Sequence, residues 1–193
     1  TLFRSDFLNT KDATIKGDFD EYGATILVSL SQQGYPVGAF YGYVTDGLFK
    51  SMEELNDGTD WGLDVKPDGQ WLGDIKYKDL NDDGVIDDKD VKKIGNPNPK
   101  FTFGFTNSFT YKGFDLSIFL YASYGGDIFN YTRLQTEGMR SQYNNQLTKV
   151  KDRYTSENTD TNIPRYNQWH ENNVRISDRF VEDGSYLRIQ NLT

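Results

Sequence analysis

Along residues 101–111 apolar and polar positions alternate with period two. Phe101, Phe103, Phe105, Phe109 and Tyr111 fall on one face, and Thr102, Gly104, Thr106, Ser108 and Thr110 on the other. Lys112-Gly113 supplies a tight turn, after which Phe114, Leu116, Ile118, Leu120 and Ala122 alternate with Asp115, Ser117, Phe119, Tyr121 and Ser123. The pattern predicts a long β-hairpin over 101–123. A half-buried sandwich hairpin would alternate in the same way, so length has to separate the two explanations. Soluble strands usually run ~5–6 residues. Residues 101–111, at ~3.3 Å each and tilted ~40°, would rise ~28 Å, enough to cross the ~25 Å apolar band of an outer-membrane barrel. Aromatics at both margins, Phe101 and Tyr111, suit an interfacial girdle, and the small polar face suits a wet or plugged lumen.

Elsewhere the pattern is weaker. Ala24 to Leu30 reads as a strand, Gly34-Tyr35-Pro36 as a turn, Phe40 to Phe49 as a β-rich segment and Asp74 to Lys78 as a short strand. Five or six strands are expected in all, fewer than the ~8 a closed bacterial barrel requires, so the chain cannot close alone. Residues 124–184 are rich in Asn, Asp, Thr and Arg and too long for a loop inside a compact soluble domain. Outer-membrane barrels carry such loops on the outside and short turns on the periplasmic side, which would place Lys112-Gly113 in the periplasm. Within that segment Gln142 to Tyr154 has a weak helical pattern and Asn162-Ile163-Pro164-Arg165 is an extended break. The chain opens on Thr1 with no signal region and stops at Asn191-Leu192-Thr193, inside a strand expected from Ser185. A fragment is the expectation, and the lack of a targeting segment carries no information about location.

Residues 79–90 read D-L-N-D-D-G-V-I-D-D-K-D. Asp79, Asn81 and Asp83 occupy positions 1, 3 and 5 of a twelve-residue calcium loop, Gly84 the sharp turn at position 6, and the Val85 carbonyl position 7. Asp87 at position 9 would act through water, Asp90 at position 12 would close the shell, and Ile86 would pack inward. Six Asp against one Lys repel one another unless a cation compensates them. The candidate metal ligands are therefore Asp79, Asn81, Asp83, Val85, Asp87 and Asp90, with calcium in a structural role. Asp in place of Glu at position 12 makes bidentate ligation less secure, and the extended Ile75 to Lys78 offers no entering helix, so no sensor-type opening is expected. An Asx-rich turn held by its own side chains is the competing reading.

Composition narrows the field. Aromatics make up 15% of 193 residues, with 13 Tyr, 13 Phe and 18 Gly, which fits a β-rich chain and not a disordered one. No apolar run reaches the ~18 residues of a membrane helix. The lack of Cys removes disulfide scaffolds, Cys-ligated zinc and thiol catalysis. A net charge of -8 leaves no footprint for phosphate backbones, so nucleic acid is not an expected partner. For catalysis the inventory is thin: one His, His170 between Trp169 and Glu171, expected at the surface, and no phosphate loop or H-E-x-x-H pattern. Glu182 and Asp183 are adjacent on an extended segment and point to opposite faces, which makes them poor glycosidase partners and better turn residues before Gly184. No enzyme is expected. Trp61, Trp71, Tyr124, Tyr131, Tyr143, Tyr166 and Trp169 have faces suited to sugar rings, although loop packing or contact with another protein explains any one of them better.

Several motifs in one order carry a resemblance. They are Tyr35 to Tyr43 (Y-P-V-G-A-F-Y-G-Y), Asp46-Gly47-Leu48-Phe49, Gly73-Asp74-Ile75-Lys76-Tyr77, the 79–90 loop, Ile94 to Phe101, Gly113-Phe114-Asp115-Leu116 and Ser177 to Arg188 (S-D-R-F-V-E-D-G-S-Y-L-R). Over residues 34–193 the chain resembles the C-terminal region of SusC/RagA-type TonB-dependent transporters of Bacteroidetes, while residues 1–33 match nothing. The resemblance implies an all-β fold, a fragment of a large antiparallel transmembrane β-barrel of 22 strands with long extracellular loops. It also implies an N-terminal plug, a SusD-like lipoprotein lid, TonB as energy donor through the missing N-terminal part, and contact with outer-membrane lipid. Residues 1–193 would then be a partial receptor barrel, with the calcium-type loop at 79–90 on the extracellular side, the transmembrane hairpin at 101–123 and a long extracellular loop at 124–184. The expected function is import of oligosaccharides or peptides across the cell outer membrane. Asp82 stands where the family often has Gly. The alternative is a soluble calcium-stabilised β module that binds glycans at the cell surface. It requires the hairpin's Phe and Leu side chains to be buried within this chain.

Overall fold

The computed structural model describes residues 15–21, 24–31, 34–139, 145–167 and 170–192. Strands β1 (Ile15–Glu21) and β2 (Ala24–Ser31) form an antiparallel hairpin that continues through β3 (Ala39–Gly42) to β6 (Lys92–Gly95), in the order β1-β2-β3-β6. Between β3 and β6 the chain leaves that sheet and builds a small body. This comprises β4 (Thr45–Leu48), helix α1 (Met52–Leu55) and β5 (Ile75–Tyr77), with β4 paired to β5. Strands β7 (Phe101–Tyr111) and β8 (Phe114–Tyr124) follow, then β9 (Asp127–Phe129), α2 (Tyr131–Glu137), β10 (Val181–Asp183) and β11 (Tyr186–Leu192). A second sheet has the order β11-β8-β7, and β9 pairs with β10.

The expected hairpin is present, in register from Phe101↔Tyr124 to Tyr111↔Phe114. Its turn residues Lys112 and Gly113 have φ of 48° and 84°. Two successive left-handed residues make the type I′ geometry whose twist matches the flanking strands. β11 adds to the free side of β8, with Leu187↔Ala122 and Ile189↔Leu120, and a bulge before Asn191 brings Leu192 opposite Ile118. The bulge keeps Leu192 on the face that strict alternation would have given to Asn191.

The small body has its own core. Leu48, Phe49, Leu55, Trp61, Ile75, Tyr77 and Ile86 are buried together, with Tyr43, Leu72 and Tyr154 against them. Phe49 meets Trp61 edge to face at 4.8 Å. Ser51 and Glu54 cap α1 reciprocally. A second cluster of Leu134, Val174 and Phe180, flanked by Phe129, Tyr131 and Ile176, lies within the 124–184 segment.

Two expectations need correction. The described residues form eleven strands where five or six were expected: β5 falls on the strand expected at 74–78 and the β-rich 40–49 segment divides into β3 and β4, while β1 and the three- or four-residue β6, β9 and β10, the latter too short to show a period, were not expected. The helical pattern at 142–154 falls partly outside the described residues, and its described part is a 3₁₀ turn, Thr148–Asp152, with no side-chain cap. Residues 124–184 contain β9, α2 and β10 and fold back on the small body. Tyr43 N–H donates to the Ile176 carbonyl at 2.9 Å, and a Cβ on Gly42 would stand 2.5 Å from that same oxygen.

Candidate functional site

The three-stranded sheet presents its apolar face outward. Register places Phe103, Ala122 and Leu187 side by side, and Phe105, Leu120 and Ile189 beside them. Phe103 is 50% exposed, Phe109 53%, Phe114 81% and Leu187 69%. Among the described residues no other part of the chain covers the face. The opposite face carries Thr102, Thr106, Ser108 and Thr110, together with Tyr121 and Tyr186, whose rings lie 6.0 Å apart under the Arg188 guanidinium. Gly104 leaves room for the Phe119 ring, which a Cβ there would touch at 3.4 Å. Both edges, β7 and β11, are unpaired among the described strands.

In the 79–90 loop, Asp79 anchors the turn. One of its carboxylate oxygens accepts from Asn81 and Asp82 N–H at 3.2 and 2.7 Å, and the other from Gly84 N–H at 2.7 Å. Asn81 Oδ1 accepts from Asp83 N–H, and Asp83 Oδ1 from Val85 N–H. Gly84 and Asp82 are left-handed, with φ of 79° and 58°, which gives the physical reason for a glycine preference at position 82. Ile86 is buried in the core, as position 8 predicts. Asp60 N–H donates to the Gly84 carbonyl and Ile86 N–H to the Asp60 carbonyl, both at 2.8 Å, and the Val85 carbonyl stays outside this ladder.

The last two expected ligands face other partners. Asp90 is fully buried and caps backbone, accepting from Leu80 N–H at 2.8 Å and Asp87 N–H at 2.9 Å. Asp87 accepts from Lys89 N–H. The Lys89 ammonium lies 3.1 Å from Asp83 and 3.2 Å from Asp87. These contacts hold the Asp83 carboxyl below its usual range and raise the Lys89 ammonium above its own. Among the described residues no three His, Cys, Asp or Glu side chains are gathered closely enough to hold a metal ion. Lys89 is the cation that Asp83 and Asp87 hold between them in this loop.

A third feature carries no local signal in the sequence, a buried polar network joining 64–75 to 163–173. Asp74 is fully buried and receives Arg165 through Nε at 2.7 Å and Nη2 at 2.8 Å. It also accepts from Asn173 Nδ2 at 2.9 Å and Trp71 N–H at 2.8 Å. Arg165 also donates to the Pro67 and Gly69 carbonyls. His170, expected at the surface, is buried here, with Nε2 2.8 Å from the Gly69 oxygen and 3.7 Å from Asp74. These residues lie about ninety apart in the chain and follow no period, so only the fold brings them together. Trp61 is packed inside, with its indole N–H donating to the Leu55 carbonyl, and Tyr131 packs against the second cluster. Neither is free to stack on a sugar. Tyr124 leans on Phe101 and Tyr166 is exposed, while Tyr143 and Trp169 lie outside the described residues. Glu182 accepts from Asn130 and Arg133, and Asp183 from Ser185 N–H, which are structural roles.

Comparison with known proteins resolves the family. The chain is 35% identical over 162 residues to TonB-dependent receptor P3 of Formosa agariphila, across 84% of its own length. It belongs to the TonB-dependent receptors. TonB-dependent receptor P26 of the same organism is 33% identical, also over 162 residues, across 81% of the chain. The chain spans only 15% of the length of each relative. No protein-family model matches it. Among solved structures it superposes on the RagAB peptide transporter with a TM-score of 0.62 at 17% identity, and on the RagAB peptide importer in a closed-closed state at 0.58 and 18%. Each superposition covers 93% of this chain and 21% of the other. The fold is thus that of an all-β barrel fragment, like the superposed part of the RagAB structures.

Proposed function

We propose that this chain forms part of the wall and extracellular loops of an outer-membrane importer. In this reading, plug, remaining wall and TonB contact come from the rest of the parent protein, and a SusD-like lipoprotein closes the outer mouth. The cargo class is oligosaccharides or peptides. The observation that carries the reading is the uncovered apolar face over β7, β8 and β11, in which the eleven-residue β7 and β8 are long enough to cross a bilayer and the open edges need neighbouring strands. A soluble glycan-binding module would have to bury those rings within its own fold. Receptor-named relatives and the RagAB likeness favour transport over catalysis. The test is to fractionate cells producing the parent protein and measure uptake of labelled oligosaccharides and peptides with and without its gene. An outer-membrane receptor whose loss abolishes uptake of one class is expected. Recovery in the soluble fraction would refute the reading.

We propose in addition that residues 79–90 take up calcium outside the cell, through Asp79, Asn81, Asp83, the Val85 carbonyl, Asp87 and Asp90. Spacing, oxygen chemistry and the left-handed residues at 82 and 84 support it. Calcium would have to displace the Lys89 ammonium from between Asp83 and Asp87. Calorimetry on the intact receptor should record calcium binding that Asp83→Ala abolishes and Lys89→Ala strengthens. Equal binding in all three proteins would sink the assignment.

A further inference from the structure

A cavity of about 300 Å³ opens between β4, β5 and the returning 161–179 segment, lined by Thr45, Leu48, Lys50, Ile75, Thr161, Asn162 and Arg179 among others. Its lining holds two cations and no carboxylate, in a chain of net charge -8. Arg179 donates through Nη1 to the Asn162 carbonyl at 2.8 Å and forms no ion pair among the described residues. Burial and the nearby charge of Arg133 push its guanidinium below its usual range, against the opposing pull of Glu137 and Tyr77. Asp152 and Asp160 line the adjoining, more open cavity that shares Lys50, and two further carboxylates are held by other groups. Asp178 accepts from Thr45 Oγ1 at 2.7 Å and Thr45 N–H at 3.0 Å, and Glu137 holds Arg133 at 3.0 Å and Lys149 at 3.5 Å. The Lys50 side chain is exposed and enters no ion pair among the described residues, and its backbone N–H is tied to Glu54.

A guanidinium and an ammonium converging on a small cavity without an anion of its own form a receptor for one. We propose that this cavity binds a single carboxylate group of the cargo, with Arg179 and Lys50 as its charged donors. The inference rests on the importer reading only in assigning the carboxylate to cargo. The volume lies at the small end of ligand sites and suits one acidic sugar ring or one terminal peptide residue. A second cavity of about 490 Å³ shares Lys50, Thr161 and Asn162 and adds Lys149, Asp152, Asp160 and Ile163. It gives the remainder of a longer cargo a polar exit.

Saturation-transfer NMR on the full receptor in detergent tests this with two matched pairs, glucuronate against glucose and tri-alanine acid against tri-alanine amide. Transfer to the acid member of at least one pair, roughly tenfold above its neutral partner, is expected, as charge-assisted contacts of this kind require. The pair that responds identifies sugar or peptide as the source of the group. Arg179→Gln and Lys50→Ala should each abolish the preference, and Arg179→Lys should retain part of it. Lys50 is exposed, so its variant keeps the test valid if Arg179→Gln fails to fold. Equal transfer to acid and neutral members, or a preference unchanged in Lys50→Ala, overturns the proposal. Outer-membrane fractionation of the same wild-type receptor is read separately, so a failed importer reading is distinguishable from a failed carboxylate site.

Discussion

Asp74 shows how much one residue can decide. Its carboxylate is fully buried and holds Arg165, Asn173 and the Trp71 N–H at once. Removing one partner of a buried ion pair costs about 3–5 kcal/mol, because the other charge is left without compensation. Asp74→Ala should therefore detach the 64–75 loop from 163–173 and expose both to limited proteolysis. If the variant receptor resisted protease as well as wild type, the network would be dispensable. The Lys89 bridge behaves differently because it is exposed. Asp83 is held below its ordinary value, so its contribution is present above about pH 4 and is lost as pH falls through the depressed value. Lys89 is raised, so its contribution is complete below about pH 10 and is lost as pH rises through the raised value. Between those limits the bridge competes with calcium. Calcium affinity measured by titration should therefore rise at alkaline pH in wild type and stay level in Lys89→Ala over the same range.

At the scale of elements, the β7–β8 hairpin sorts its residues by face. A cation at the lipid side of a barrel midplane costs about 2–4 kcal/mol, whereas the lumen side tolerates one. Phe105→Lys should lower the amount of folded receptor recovered from outer membranes, and Thr106→Lys, one residue away on the other face, should leave it near wild type. Equal effects would mean that the faces do not differ in environment. This hairpin was fully legible in the sequence because period two, a Lys-Gly turn and eleven-residue strands are all local signals. The loop path of 79–90 was legible for the same reason, as Ile86 and Gly84 follow from spacing alone. The direction taken by Asp90 was not, since its inward turn depends on the Leu80 and Asp87 amides. His170 and Arg165 were opaque because their partners lie near residue 70 and share no pattern with them.

On the scale of the whole molecule, two parts of the chain have opposite needs. The residues around Trp61 and Phe180 close two apolar clusters of their own, while β7, β8 and β11 close none and leave both sheet edges open. Such edges and a bare Phe-rich face are templates for aggregation in water. Produced alone, the chain should remain soluble only in detergent. Trypsin should then cut at Lys112, while the body around the Asp74 network survives and Trp61 emission stays blue-shifted as befits a buried indole. Adding back the strands that flank β7 and β11 in the parent should protect the hairpin and leave the body unchanged. A detergent-free monomer with a protected hairpin would require the apolar face to be buried against this chain itself, and the barrel wall would then lose its physical basis.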